Sequence, residues 1–264
     1  MSRQIEAVIF DWAGTTVDYG CFAPVEAFRQ AFAEEGIDAT TEEIRRPMGL
    51  SKRLHVRTMF EMPRIAARWQ DTHGRPWTEA DVEQVYRRSE ERILSLLPDY
   101  AEPIAHVLDA VAQLRERGIQ IGSTTGYNDE MMSLVVPAAA AAGYRPDCWF
   151  SADATRQIGR PYPYMIFRAL ETLRVSSVGA AVKVGDTVAD IQEGQNAGLI
   201  TVGVIEGSSL LALSQQEYES LAPEQRQAEI DRVRQAYADC GADYAIANMS
   251  ELPALLDLLS AATA

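Results

Sequence analysis

Residues 5–12, IEAVIFDW, form a short apolar run that leads into Gly and Thr residues. This pattern predicts a buried parallel strand entering a loop. Four similar runs come much later, at residues 119–125, 148–151, 180–186 and 200–205. Helical periodicity fills the spaces between them, over residues 104–117, 129–142, 162–173 and 188–197. Strand and helix alternating at this spacing predict an α/β fold with a doubly wound parallel sheet, a Rossmann-like core.

The region between the first two strands breaks the alternation. It shows no strand pattern, and helical patterns cover residues 24–35, 41–46, 51–61, 63–72 and 78–96. An insertion of this size predicts a helical cap domain, residues 20–102, on a catalytic core of residues 1–19 and 103–264. Turn formers at residues 18–20 and 98–103 would be its hinges. The tail predicts one long polar helix over residues 215–239, a short strand over 243–247 and an amphipathic helix over 251–259.

The net charge of −14 narrows the function. No basic stripe is present, which argues against a nucleic-acid partner. An anionic substrate must then be held by a local cluster of cations. The three cysteines, Cys21, Cys148 and Cys240, are widely spaced with no CxxC. That disfavours a disulfide framework or a zinc site and fits a reducing compartment. The N-terminus has no apolar signal region, and the longest apolar stretch, residues 134–142, is short and contains Pro137. A cytoplasmic protein with no membrane partner is expected.

In open α/β sheets, ligands bind beyond the C-terminal ends of the strands. Asp11 ends the first predicted strand and Asp186 a later one, with Asp190 one helical turn further on. Oxygen ligands of this kind suit Mg²⁺, and a carboxylate can also attack phosphorus. Either aspartate alone could equally cap a helix. Neither GxGxxG nor GxxxxGK[ST] occurs, so a nucleotide site is not indicated.

Four motifs carry a resemblance to the haloacid dehalogenase superfamily. The stretch DWAGTT from Asp11 is similar to that superfamily's DxDxT. Thr125 matches the Ser/Thr of its second motif, Arg160 in GRPYP stands where a Lys is usual, and Gly185 to Asp190 matches GDxxxD. The resemblance implies Mg²⁺ held by Asp11, the Ala13 carbonyl, Asp186 and Asp190. It implies Asp11 as a nucleophile that accepts a phosphoryl group, with Thr125 and Arg160 donating to the phosphoryl oxygens. Arginine keeps the charge of lysine and adds a fork matched to phosphate.

One position departs from the superfamily's phosphatases. Ala13 stands where they have the Asp that protonates the leaving alcohol, so a simple monoesterase would be crippled. The stretch PMGLSKRLH, residues 47–55, together with GSTTGYN and GRPYPYM, resembles the phosphonoacetaldehyde hydrolase family. That resemblance covers almost the whole chain and implies a Schiff base between Lys52 and the substrate aldehyde. An iminium accepts the electrons of a breaking C–P bond, which removes the need for an acid at Ala13. Lys52 must be neutral to attack, and burial would favour that form.

His55 lies three residues on, so it shares a helical face with Lys52 and could shuttle protons; a packed histidine is the plainer alternative. Met48 and Gly49 sit where the chain enters that helix, and Cys21 and Tyr127 match positions near the family's active site. They are candidates for substrate binding, although Met48 and Cys21 would serve equally as core residues. The resemblance further implies a role in 2-aminoethylphosphonate breakdown, a small phosphonate substrate and a homodimer joined through the cap. The rival functions are a phosphate-monoester phosphatase or phosphomutase, and a non-catalytic binding protein. Ala13 argues against the first pair, and the intact remaining motifs argue against the second. Residues 207–225 receive no functional account from the sequence.

Overall fold

The computed structural model describes residues 4–261. Six strands form one parallel sheet in the order β3-β2-β1-β4-β5-β6. They are β1 (Ala7–Phe10), β2 (Gln120–Thr124), β3 (Cys148–Phe150), β4 (Ala181–Gly185), β5 (Ile200–Val204) and β6 (Tyr244–Ile246). Every residue of β1 and β4 is buried, as expected for central strands covered on both faces. The expected fold class is present.

The strand order sets the location of chemistry. The chain moves outward from β1 through β2 to β3, then returns to the other side of β1 as β4. The crevice at that reversal lies beyond the C-terminal ends of β1 and β4. Phe10 pairs with Val184 there, and the Asp11 N–H donates to the Val184 carbonyl at 2.9 Å. The two strands therefore deliver Asp11 and Asp186 side by side.

Five helices fall within residues 20–102: α1 (Phe22–Glu34), α2 (Thr41–Arg45), α3 (Lys52–Phe60), α4 (Pro63–His73) and α5 (Glu79–Leu96). Their buried faces carry Phe28, Phe32, Ile44, Phe60, Trp69 and Ile93, and the Phe60 and Trp69 rings meet edge to face at 4.9 Å. Such aromatic pairs add to the area they bury. Reciprocal capping boxes start α2, through Thr40 and Glu43, and α5, through Thr78 and Asp81.

The core helices are α6 (Val107–Glu116), α7 (Asp129–Ala141), α8 (Tyr164–Leu173), α9 (Val188–Ala197), α10 (Gln215–Ser220), α11 (Pro223–Asp239) and α12 (Leu252–Ala261). One expectation is corrected here. The tail does not form a single helix over residues 215–239, because Leu221 and Ala222 are extended between α10 and α11. Pro223 disfavours helical geometry at Ala222 and restarts the helix at its own first position. No helix among the described residues is long and apolar enough to cross a membrane.

Candidate active site

A closed cavity lies over the crevice between β1 and β4. Asp11, Ala13, Thr125, Tyr127 and Arg160 line it from the core, and Cys21, Met48, Gly49 and Lys52 line it from the chain between β1 and β2. Its volume is about 20 Å³, which leaves room for roughly one water molecule. Of the residues singled out from the sequence, only His55, Asp186 and Asp190 do not line it.

Asp186 lies immediately beneath. Thr15 Oγ1 donates to its Oδ1 at 3.1 Å, and the Ser209 N–H donates to its Oδ2 at 2.8 Å. Gly14 is required here. Its φ is +84°, and a Cβ on it would overlap the Asp186 carboxylate. Asp190 is held from both ends of its carboxylate. One oxygen closes the capping box of α9 through Thr187, and the other meets Lys183 at 2.9 Å and Arg160 at 3.0 Å.

Arg160 is buried and runs along this floor. Its Nη2 donates to Asp11 Oδ1 at 2.6 Å and its Nε to Glu193 Oε2 at 3.0 Å. Nη1 reaches the Gly49 carbonyl at 3.4 Å, so the same guanidinium touches both halves of the site. Thr124 Oγ1 accepts from Lys183 Nζ at 2.9 Å and donates to Glu193 at 2.8 Å.

Sequence reasoning missed Thr124, Lys183, Glu193 and Ser209. A signal existed for Lys183, a lone cation in an otherwise apolar strand pattern, which demands a buried anionic partner. Glu193 stands three residues after Asp190, on the same face of α9.

The charges do not balance. Asp11, Asp186, Asp190 and Glu193 face Arg160 and Lys183, a surplus of two negative charges. Burial pushes the Asp186 carboxyl well above its ordinary range, and the like charges of Asp11 and Asp190 push it further. Burial raises Asp11 as well, with Arg160 pulling against it. Burial also works against the charged form of Asp190, but Arg160 and Lys183 outweigh it and hold that carboxyl low. Oxygens of Asp11, Asp186 and Asp190 all lie within 4.8 Å of one another. A hard divalent cation matches this donor set in both charge and chemistry.

The opposite wall is the start of α3. Lys52 is its first residue, buried, with Nζ 4.7 Å from the centre of the Tyr127 ring. Burial lowers its pKa. His55 shares α3 but faces away from the cavity, stacked on Phe28 at 4.1 Å. Burial, reinforced by Lys52, holds its ring far below the usual histidine range, so it is neutral. Burial raises the Cys21 thiol and the Tyr127 hydroxyl well above their ordinary values. Ala13 presents only a methyl group. Thr125 Oγ1 accepts from the Tyr127 N–H at 3.0 Å, which leaves its own hydrogen free to donate.

Gly49 seats this wall on the core. Its φ is +88°, and a Cβ would overlap Thr187 Oγ1. Thr187 is the N-cap of α9, so the loop before α3 rests on the element that carries Asp190.

The family described as haloacid dehalogenase-like hydrolase matches residues 5–198. A Bacillus cereus protein named phosphonoacetaldehyde hydrolase is 49% identical over 254 residues, 96% of each chain. The chain belongs to the phosphonoacetaldehyde hydrolase family. Another protein of that name, from Lysinibacillus sphaericus, is 47% identical over 97% of this chain and 96% of its own. The crystal structure of a phosphonoacetaldehyde hydrolase-like protein from Oleispira antarctica superposes with a TM-score of 0.94 at 32% identity, covering 98% of this chain and 94% of that one. A β-phosphoglucomutase from Clostridium difficile reaches a TM-score of 0.63 at 17% identity, covering 89% of this chain and 100% of that one. That likeness extends to the fold alone. In this chain, the segment between β1 and β2 brings Lys52 to the cavity that Asp11 and Arg160 also line.

Proposed function

We propose that this chain hydrolyses the C–P bond of phosphonoacetaldehyde to acetaldehyde and phosphate. The observation that carries the reading is Lys52, a buried amine that shares one closed cavity with Asp11 and Arg160, while Ala13 offers no acid. The names of its relatives point the same way.

Residues 20–102 act in this proposal as a cap that brings Lys52 over the core. The Lys52 amine adds to the aldehyde, takes up a proton from solvent and loses water, giving an iminium. Asp11 attacks phosphorus, and the C–P electron pair moves into the iminium to form an enamine. Arg160 and the Thr125 hydroxyl donate to the phosphoryl oxygens. The enamine takes a proton at carbon, and water then releases acetaldehyde from Lys52. A second water releases phosphate from Asp11. His55 packs behind Lys52 on α3, and Cys21, Met48 and Tyr127 shape the substrate pocket. Asp11, Asp186, Asp190 and the Ala13 carbonyl would hold Mg²⁺, which supplies positive charge against the phosphoryl oxygens when bound.

The test is phosphate release from phosphonoacetaldehyde against p-nitrophenyl phosphate, each with and without EDTA. Release from the phosphonate alone, abolished by EDTA, is expected. A preference for the ester would return the chain to the phosphatase or phosphomutase reading.

We propose also that the phosphonate comes from 2-aminoethylphosphonate breakdown in the cytoplasm, and that the protein works as a homodimer. Leu54 on α3 and Tyr162, Tyr164 and Phe167 on the core leave apolar surface exposed, and the two tyrosine rings stack at 6.0 Å. A surface of this kind is suited to a second copy. Sedimentation velocity decides between dimer and monomer.

A further inference from the structure

Arg45, the last residue of α2, joins three separate parts of the chain through one nitrogen. Its Nη1 donates to the Gly20 carbonyl at 2.8 Å and to the Ser209 carbonyl at 3.1 Å. Gly20 belongs to the hinge, and Ser209 to the core loop after β5. The hinge and loop also meet directly, because the Gly20 N–H donates to the Gly207 carbonyl at 2.7 Å. Ser209 in turn donates its own N–H to Asp186 Oδ2 at 2.8 Å. A continuous line of hydrogen bonds therefore runs from the helical insertion to the carboxylate beneath the cavity.

Two features make this line more than packing. The Nε and Nη2 of Arg45 are buried with no partner, with the guanidinium over the Phe22 ring at 5.0 Å. Arg45 as a whole is half-buried, lining a surface groove with Val188 and Leu210, and its two enclosed donors without a partner add little to stability. The second feature is the support at Asp186. Thr15 donates to one oxygen of the carboxylate, and Ser209 supports it through both its backbone N–H and its side chain. Thr15 belongs to the rigid loop after β1. Ser209 is the donor whose position the insertion controls.

We infer that Arg45 is a positioning residue that couples seating of the cap to the orientation of Asp186, and through it to the affinity of the cation site. This rests on the reading of Asp11 and Asp186 as cation ligands. When the cap lifts, Arg45 leaves the Ser209 carbonyl, the loop from Gly207 onward relaxes, and Asp186 loses the support of Ser209. The cation is then held less firmly. Linkage makes the effect reciprocal, so a bound cation favours the seated cap. The loop after β5, which the sequence left without a role, becomes the connector between the two.

Mn²⁺ binding to the whole protein, read from the free-ion signal in electron paramagnetic resonance, tests this without any turnover. Arg45→Met keeps the apolar stem and removes the donors. Its Mn²⁺ dissociation constant should rise about tenfold, within the usual range of coupling between sites. Amide exchange over residues 207–211 should quicken at the same time. Asp186→Asn is the control. If Asp186→Asn weakens Mn²⁺ and Arg45→Met changes neither affinity nor exchange, the coupling is overturned while the cation site stands. If Asp186→Asn leaves Mn²⁺ affinity unchanged, the cation-site reading itself falls. Should Arg45→Met fail to fold, the unmodified protein decides the matter. Mn²⁺ should slow exchange at Ser209, at Gly20 and across α2 together. Slowing at Ser209 alone would refute the connection.

Discussion

Arg160 Nη2 lies 2.6 Å from Asp11 Oδ1, so the proposed nucleophile is paired with a buried guanidinium before any substrate arrives. The pairing pulls against burial, which is the larger influence and pushes the Asp11 carboxyl upward. Asp11→Asn keeps the shape but loses both the charge and the attacking oxygen. Single-turnover phosphate release should fall by at least about a thousandfold, because a nucleophile has no partial substitute. A loss smaller than about tenfold would remove Asp11 from that role.

Lys52 should be trapped on the substrate carbon when borohydride is added during turnover. Reduction turns the iminium into a stable secondary amine, visible by mass spectrometry on the peptide that holds Lys52. Lys52→Arg keeps a positive charge yet forms no productive imine, so it should bind the phosphonate and fail to turn over. Unchanged mass, or substantial activity in Lys52→Arg, would end the Schiff-base proposal.

Gly49→Ala should impair activity far more than stability. The added methyl meets Thr187 only when the loop before α3 rests on α9. A drop in kcat/KM of about 10- to 100-fold is expected, equivalent to ~1.4–2.7 kcal/mol at the transition state. The melting temperature should move by only a few degrees. Activity within about twofold of wild type would mean that this contact is not needed for turnover.

Asp18 offers a test in pH. Burial raises its carboxyl to about 7 from an ordinary 3.8, with hydrogen bonds from the N–H groups of Phe22 and Ala23 and the charges of Lys52 and Arg45 pulling the other way. The folded chain therefore keeps a proton between those values that the unfolded chain releases. Stability associated with this group is fully present below the lower value and declines as pH rises to the upper one. Asp18→Asn cannot titrate. Its melting temperature should match wild type near pH 4 and exceed it by several degrees at pH 8, at about 2–4 °C per kcal/mol for a chain of this size. A gap that stays constant across that range would contradict the assigned shift.

The central strands are legible because β1, β2 and β4 are short apolar runs that end at Asp11, Thr124 and Gly185, and their burial leaves few other patterns. The same pattern places Asp11 and Asp186 at strand ends. Their adjacency was not legible, since it depends on β4 returning beside β1. The pairing of Lys183 with Glu193 and Asp190 was hidden for a related reason: a local pattern reveals an odd residue but not its partner. Ser209 contributes through its backbone N–H, which no side-chain motif records. The break between α10 and α11 was visible in advance as Pro223, and the polar periodicity on both sides concealed it.

The cavity that encloses Lys52 has one more consequence for the proposed imine. Cells contain free aldehydes, and a neutral amine reacts with them indiscriminately. Lifting α3 from the core returns Lys52 to water, where an ammonium regains its ordinary basicity and is inert toward carbonyls. With α3 lowered, burial shifts Lys52 toward its free base, inside a space with room for little more than one water molecule. The side chain is thus accessible when unreactive and reactive when inaccessible. Only an aldehyde already held by its phosphonate against Arg160 is present at the moment the amine becomes a nucleophile. Under the proposed mechanism, this ordering would protect the enzyme from poisoning by stray carbonyl compounds.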